Sequence, residues 1–412
     1  MASFSVPLSG LQASSSALDV IGNNLANLNT DGYKNQTLSF GDLFSQMQGT
    51  SGNGDPIQIG SGVKIEGTTS NFTNGAVAST GTAANMALQG NGFFVVSNKG
   101  VTSYTRNGDF TVNASGQLTS AGGEQVMGFP AVNGIVSTTG VLAPIAVNSN
   151  GTVPAAATTS FQADVNLDSA SSVGSTFNTP ITVYDTLGTP QDLSIQYTNT
   201  GTGSWSYSIS LPGAATGSAA ATTTVATGTL TFDASGKLTS PSGTVPGINI
   251  TGLADGAANM SLTWNLNGTS GSPTITQQNS ASATTTATQN GFAVGTLTSY
   301  SVLSDGTVQG QYSNGQTLAL GQVAVANFAN PQGLTEVSGG NQQATSASGA
   351  AVIGQAGVGG NGTITGGAVE QSNVSLSTEF ANMIVAQQSY DANAKVLTTL
   401  NQVDQSTMQI IA

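Results

Sequence analysis

Apolar residues recur with helical spacing at the two ends of this chain and almost nowhere between, and that placement limits the folds open to it. Phe4, Leu8, Leu11, Ser15, Leu18, Ile21, Leu25 and Leu28 advance by steps of three and four, an a/d-type stripe on one helix face. Pro7 suits the first turn, where its missing N–H is no loss. Asn27, Asn29, Asp31 and Gly32 mark the stop, with Gly or Asn expected in a left-handed cap. At the other end Leu376, Phe380, Met383, Gln387, Tyr390, Ala394 and Leu397 repeat the pattern, and Leu400, Val403 and Ile410 extend it with a slip. Ser375, Ser377 or Thr378 is placed to cap this second helix, with Glu379 in its first turn. At 1.5 Å per residue the helices span roughly 35 and 55–60 Å.

Between the stripes the chain reads as β. Short apolar runs such as Phe93-Phe94-Val95-Val96 alternate with turn signals about every ten residues, the spacing of sandwiches and barrels. Asn107-Gly108, Asp305-Gly306 and Asn314-Gly315 suit tight turns with positive φ, and the last two bracket a strand over 307–312. Phe110–Ser120 and Phe232–Ser240 echo one another as strand, turn, strand, better explained by shared hairpin chemistry than by duplication. Shifts to Gly, Ser, Thr, Ala and Asn at 49–62, 131–160, 213–228, 268–289 and 339–367 suggest boundaries. The expected architecture is mostly β with long terminal α-helices. Residues 1–31 and 372–412 form a helix pair, 32–69 and 359–371 link it, 70–160 and 289–358 form a first β domain, and 161–288 form a β domain inserted into the first. Long insertions are tolerated because loop-closure entropy grows slowly with length.

Composition removes most chemistry. The 412 residues contain no His and no Cys, which excludes a Ser-His-Asp triad, a thiol nucleophile, a disulfide and a His or thiolate metal site. Charged residues are 6% of the chain, with a net charge of -13. The six cations, Lys34, Lys64, Lys99, Arg106, Lys237 and Lys395, stand singly, so no basic stripe exists for nucleic acid. Asp164 with Asp168, or Asp185 with Asp192, would be the candidate acid/base pairs, but Asp is above all a turn former. Gly90-Asn91-Gly92 lacks the Lys-Ser/Thr and the following helix of a phosphate loop. Arg106 sits beside a hairpin turn, within reach of Asp109 or of an acid on another copy. No enzyme activity, cofactor or metal is expected. The N-terminal stripe lacks a basic n-region, is interrupted by Asp19 and does not resemble a signal peptide, and no run of 18 apolar residues spans a membrane.

Two narrow stripes bury little against one another, and the β character of the rest leaves them short of partners. Either they cap the chain's own core or they pack on other copies of it. The second is favoured, and a contact between unlike patches of identical subunits that does not close builds a helical filament. The packing residues are then Leu8, Leu11, Leu18, Ile21, Leu25, Leu28, Leu376, Phe380, Met383, Tyr390 and Leu397. A competing class is a charge-poor β-rich surface binding module, with Trp205, Tyr207 and Trp264 as stacking faces; the expected place of both Trp residues is the inserted domain's core.

Ser9-Gly10-Leu11-Gln12-Ala13, the run from Leu18 to Lys34, and at the C-terminus Glu370 to Val374 with Leu376 and then Met383 to Val396 closely resemble the terminal signatures of the bacterial flagellar rod and hook proteins. Leu88–Phe94 and Tyr104–Phe110 resemble that family's first shared β segment, and Phe328–Leu334 a segment its rod and hook members share. The insertion opening at Ile181–Gly188 points to hook subunits, with a distal rod protein carrying an insertion as the alternative. Gln388 stands where many relatives carry Arg. The resemblance implies a hollow curved tube acting as a universal joint between rod and filament, the helices lining its inside and the inserted domain outermost. It further implies extracellular placement in the hook/basal body, export without signal cleavage through the flagellar export apparatus, a hook cap and a length-control protein during assembly, and a distal rod protein and a hook–filament junction protein as neighbours. A surface of Ser, Thr, Asn, Gln and Gly with few ion pairs suits contacts that slide.

Overall fold

The computed structural model describes residues 4–44, 46–50, 56–147, 151–268 and 271–411. Two helices stand where the stripes lie, α1 over Ser5–Ala26 and α2 over Leu376–Ile411, with β strands between them. Helix α1 ends through Asn27 at φ -99°, outside the left-handed region; the left-handed residue is Gly32, at φ 71°. Its requirement for glycine is spatial as well, since a Cβ there would meet the Asn107 backbone nitrogen at 2.5 Å. The Ser375 carbonyl accepts the first bond of α2, from the Glu379 N–H at 2.9 Å. Among the described residues no helix is long and apolar enough to cross a membrane.

The chain divides into two compact units. The first holds Met1–Asn148, Ser299–Gly310 and Thr317–Ala412; the second holds Ser149–Thr298 and Gln311–Gln316. In the first, the strand Phe93–Asn98 pairs antiparallel with Val101–Thr105 on one side and with Gln125–Val132 on the other, which continues to Thr317–Val323. Phe93–Asn98 is buried on both faces, hence its unbroken apolar run. On one face Phe93 and Tyr104 meet Phe328 edge-on at 5.9 and 4.8 Å; on the other Phe94 meets Phe110 at 5.3 Å. The segment expected as a second linker, 359–371, instead pairs: Thr363–Gly366 lies on Met86–Gln89 and Ala368–Glu370 on Val77–Ser79. The returning chain is thus held beside the outgoing one just before α2 begins.

The other expected linker is also β. Strands β1 (Gln36–Asp42), β2 (Gln46–Thr50), β3 (Pro56–Ile59) and β4 (Val63–Ser70) form a ribbon in which β1 pairs antiparallel with β4 and β2 with β3. A bulge between Ser39 and Phe40 shifts the β1–β4 register. Neither β1 nor β4 has a buried face, so the alternation that marks a strand in sequence is faint here.

The second unit contains two five-stranded sheets. One is an antiparallel meander of Thr176–Tyr184, Pro190–Gly201, Ser204–Pro212, Thr222–Phe232 and Leu238–Ser240. The other centres on Ser160–Asp168, parallel to Met260–Asn265 and Ile275–Gln278 and antiparallel to Ala283–Gln289. Alternate residues of both sheets, among them Phe161, Val165, Ile195, Trp205 and Leu262, share one core, a sandwich arrangement. This unit is wider than the expected 161–288. Ala156 exchanges backbone bonds with Phe292 at 3.0 and 2.9 Å, and Thr158 ties to Tyr184, so both flanks continue its hydrogen-bonding.

The echo noticed in the sequence is one turn used three times. At Asn113, Asp185 and Asp233 the residue's N–H donates to the carbonyl four residues on, and a glycine three residues on donates back to its carbonyl. The side-chain Oδ1 then accepts the N–H groups two and four residues on. Shared turn chemistry accounts for the repeat. Both Trp residues belong to the second unit and are buried there, Trp264 stacked on Phe161 at 6.0 Å. Tryptophan fluorescence therefore follows this unit alone. Leu193→Ala is expected to destabilise it by about 2–5 kcal/mol, read as a lower urea midpoint of Trp emission.

Candidate functional site

The helix pair is built through small residues. Gly10 of α1 lies against Asn393 of α2, where an added Cβ would meet the amide at 2.8 Å, and Asn24 bonds Glu379, so the two helices run antiparallel. The buried positions of α1 are Pro7, Ala13, Ser14, Ile21 and Asn24; on α2 they are Glu379 and Ala386. The Ser14 hydroxyl turns back onto the Gly10 carbonyl at 2.9 Å, as hydroxyls inside helices do. This seam is not the leucine stripe. Of the eleven packing candidates only Ile21 is buried within the chain. Leu8, Leu376, Phe380 and Tyr390 are exposed at 56, 46, 47 and 42%. Leu11, Leu18, Leu25, Leu28, Met383 and Leu397 are half-buried.

The base of the pair is fixed by amides. Asn24 donates to the Gln36 carbonyl at 2.8 Å and to Glu379 at 3.4 Å, while its Oδ1 accepts from the Tyr33 hydroxyl at 3.1 Å and the Gln36 N–H at 3.0 Å. All four hydrogen-bonding positions of this buried amide are used. Asn35 donates to the other Glu379 oxygen at 2.7 Å and receives Asn373 Oδ1 on its own N–H at 2.7 Å. Asn373 donates onward to the carbonyls of Asn71 and Thr73. Burial, followed by the charges of Glu336 and Glu379, pushes the Tyr33 phenol up to about 12.

Beside this lies a buried ion triad. The Glu370 carboxylate, 1% exposed, meets Lys34 Nζ at 2.7 Å and Arg106 Nη1 at 3.5 Å. Lys34 also donates to the Thr73 carbonyl, Arg106 to the carbonyls of Leu88 and Gly90, and the Gly75 N–H to Glu370. The guanidinium stacks over the Phe93 ring at 5.4 Å. Burial lowers the Lys34 ammonium and Arg106 guanidinium below their usual ranges, and Glu370 opposes both shifts. The expectation of an exposed Arg106 near Asp109 is corrected: Arg106 is 4% exposed and its acid is Glu370, which pairs with it from 264 residues away. Sequence spacing cannot show such a partner.

The remaining candidates fall into structural places. Asp185 accepts N–H groups in its turn, Asp168 caps Ala170, Asp164 bonds Gln162 and Thr286, and Asp192 accepts the Thr182 hydroxyl. Trp205, Tyr207 and Trp264 are buried and offer no stacking face. Among the described residues no group of three or more acidic side chains is placed to hold a metal ion.

Comparison with known proteins places these segments in one family. Models described as "Flagella basal body rod protein", "Flagellar hook protein FlgE/F/G D1 domain", "Flagellar basal body protein FlaE D2 domain" and "Flagellar basal body rod FlgEFG protein C-terminal" match residues 5–34, 87–155, 148–292 and 365–410. The chain is 37% identical to the flagellar hook protein FlgE of Escherichia coli K12, over 97% of this chain and 98% of that protein. It is 38% identical to that of Salmonella typhimurium over the same shares, and 31% identical to that of Borreliella burgdorferi over 98% of each. The crystal structure of the Helicobacter pylori flagellar hook protein FlgE2 superposes with a TM-score of 0.52 at 14% identity, covering 70% of this chain and 98% of that one, a likeness of fold.

Glu370→Gln leaves two buried cations without their anion. It is expected to cost about 3–5 kcal/mol, seen as earlier loss of helical circular dichroism with the Trp fluorescence transition unmoved. For Tyr33, the unfolded chain gives up its proton near 10 and the folded chain only near 12. Its contribution to stability is therefore complete below pH 10 and lost as pH rises through 12. The difference in phenolate absorbance between the unaltered chain and Tyr33→Phe should place this titration; an ordinary value near 10 would contradict it.

Proposed function

The chain belongs to the flagellar hook protein family and is a structural subunit of the flagellar hook, and from that premise we propose that it polymerises by burying, between copies, the stripes its own helix pair leaves open. The observation that carries this is the mismatch between seam and stripe. Within one chain the helices meet at Gly10 against Asn393, and the buried positions nearby are the small residues Ala13, Ser14 and Ala386. Leu8, Leu11, Leu18 and Leu25 on α1, Leu28 just beyond its end, and Leu376, Phe380, Met383, Tyr390 and Leu397 on α2 remain wholly or partly open, with Ile21 between stripe and seam. Contacts between these unlike faces of identical copies are head-to-tail and propagate as an open helix.

In this reading the terminal helices line a hollow curved tube, the second unit lies outward, and the tube is a universal joint carrying torque from rod to filament. The rod's distal protein and the hook–filament junction protein are its end neighbours. A hook cap acts during growth, and the subunit reaches its extracellular position through the flagellar export apparatus without a cleaved signal. The role is structural, with no catalysis, cofactor or nucleic acid. Changing spacing around a bend calls for outer contacts free of fixed ion pairs. Among the described residues both ion pairs are the buried ones at Glu370, which supports that surface character.

Electron microscopy of the purified chain after salting-out should show short hollow curved tubes. Leu25→Ala and Phe380→Ala are each expected to abolish tubes while leaving Trp fluorescence native, since a truncated buried side chain costs about 2–5 kcal/mol in every copy. Normal tubes from either variant would sink the proposal. Bending stiffness should change little with ionic strength, because screening acts on exposed charges that are sparse here.

A further inference from the structure

A groove of about 570 Å³ lies between α1, α2 and β1, and among the described residues nothing fills it. Its walls include Ala13, Ala17 and Ile21 of α1, Leu38 of β1, and Val385 and Ala386 of α2. The groove exists because the helix seam is made of small residues. Glu379 is the one charged residue in its lining, and both carboxylate oxygens are already bonded by Asn24 and Asn35. It therefore offers a partner apolar surface and no free charge. The volume equals roughly one turn of a helix 10–12 Å across. A long helical stripe does not fit into it, whereas one or two large side chains do.

The same chain carries a side chain of that kind. Phe44 is 95% exposed on the ribbon, beside Leu43 at 37%. Its position is held, because the Leu43 N–H donates to the Gly62 carbonyl at 2.9 Å and extends the β1–β4 ladder. Phe40 lines the groove, and Phe44 lies four residues further along, about 13 Å of extended chain at 3.3 Å per residue. Phe44 is thus carried past its own groove rather than into it. The geometry points to a knob-and-groove contact between copies: Phe44 of one copy fills the α1–α2–β1 groove of the next. The inference rests on the polymerising role proposed above and adds the second, unlike pair of patches that a head-to-tail contact requires.

The absence of Cys makes the test clean. The full-length double variant Phe44→Cys/Ala17→Cys, salted out and mildly oxidised, should give a ladder of covalent multimers on a denaturing gel. Neither single variant should give more than dimers, and the dilute double variant should stay monomeric. Tubes without a ladder would overturn the contact, as would closure of the bond within one dilute chain. A ladder from Leu8→Cys/Ala17→Cys in its place would put a neighbour's helix in the groove and overturn it equally. Phe44→Ser should raise the polymerisation threshold about tenfold or more with unchanged circular dichroism; an unchanged threshold contradicts the role. No polymer from the unaltered chain would remove the proposed function itself, whereas polymer without the crosslink removes only this contact.

Discussion

The Glu370 carboxylate is where the two ends of a 412-residue chain are held together. It receives Lys34 from the segment that leaves α1, Arg106 from the first unit's β strands, and it stands six residues before α2 begins. All three side chains are almost wholly buried, so each charge depends on the others. A lone buried ion is costly, and a paired one is tolerable only when its remaining donors and acceptors are also used. Here most are, by the carbonyls of Leu88, Gly90 and Thr73 and the N–H of Gly75, while the buried Arg106 Nε has no partner. The triad adds little as a source of net stability. Its value lies in specificity, because only one arrangement of the three segments satisfies it.

The amide network above the triad extends that specificity to the helices. Asn24 and Asn35 grip both oxygens of Glu379, which fixes the register of α1 against α2 at one end. From there the seam runs outward through Gly10, Ala13, Ser14 and Ala386, residues too small to bury much area. The pair is therefore held mainly by polar geometry at its base, and the large apolar side chains are free to face elsewhere. A subunit that must pack against copies of itself benefits from this division. In the proposed assembly, the hydrophobic surface that would have stabilised the monomer is kept for contacts between copies.

The β units follow simpler rules. In the second unit the alternation along Ser160–Asp168, Pro190–Gly201 and Ser204–Pro212 sends every second side chain into one core. The Asx-plus-glycine turn, at Asp185 and Asp233 in this unit and at Asn113 in the first, closes hairpins with local bonds alone. Such features are legible in sequence because cause and effect lie within a few residues. The pairing of β1 with β4 was not, since neither strand has a buried face, and the pairing of 363–370 with 77–89 was not, since those partners lie nearly three hundred residues apart.

The sequence by itself determined the helices at both ends, the β character between them, the turns, the family and the absence of His and Cys chemistry. Each of these depends on short-range periodicity, local turn geometry or composition. Only the tertiary structure decided which helix face meets its partner, that Arg106 is buried on Glu370, that the linkers are strands, and that Phe44 stands clear of an empty apolar groove. These depend on contacts between residues distant along the chain, and their energies come from desolvation and fit, which no spacing of letters records. The leucine stripes show the boundary most clearly. Their period announced a helix, but which of them the chain itself covers was decided by a row of small residues on the adjoining face.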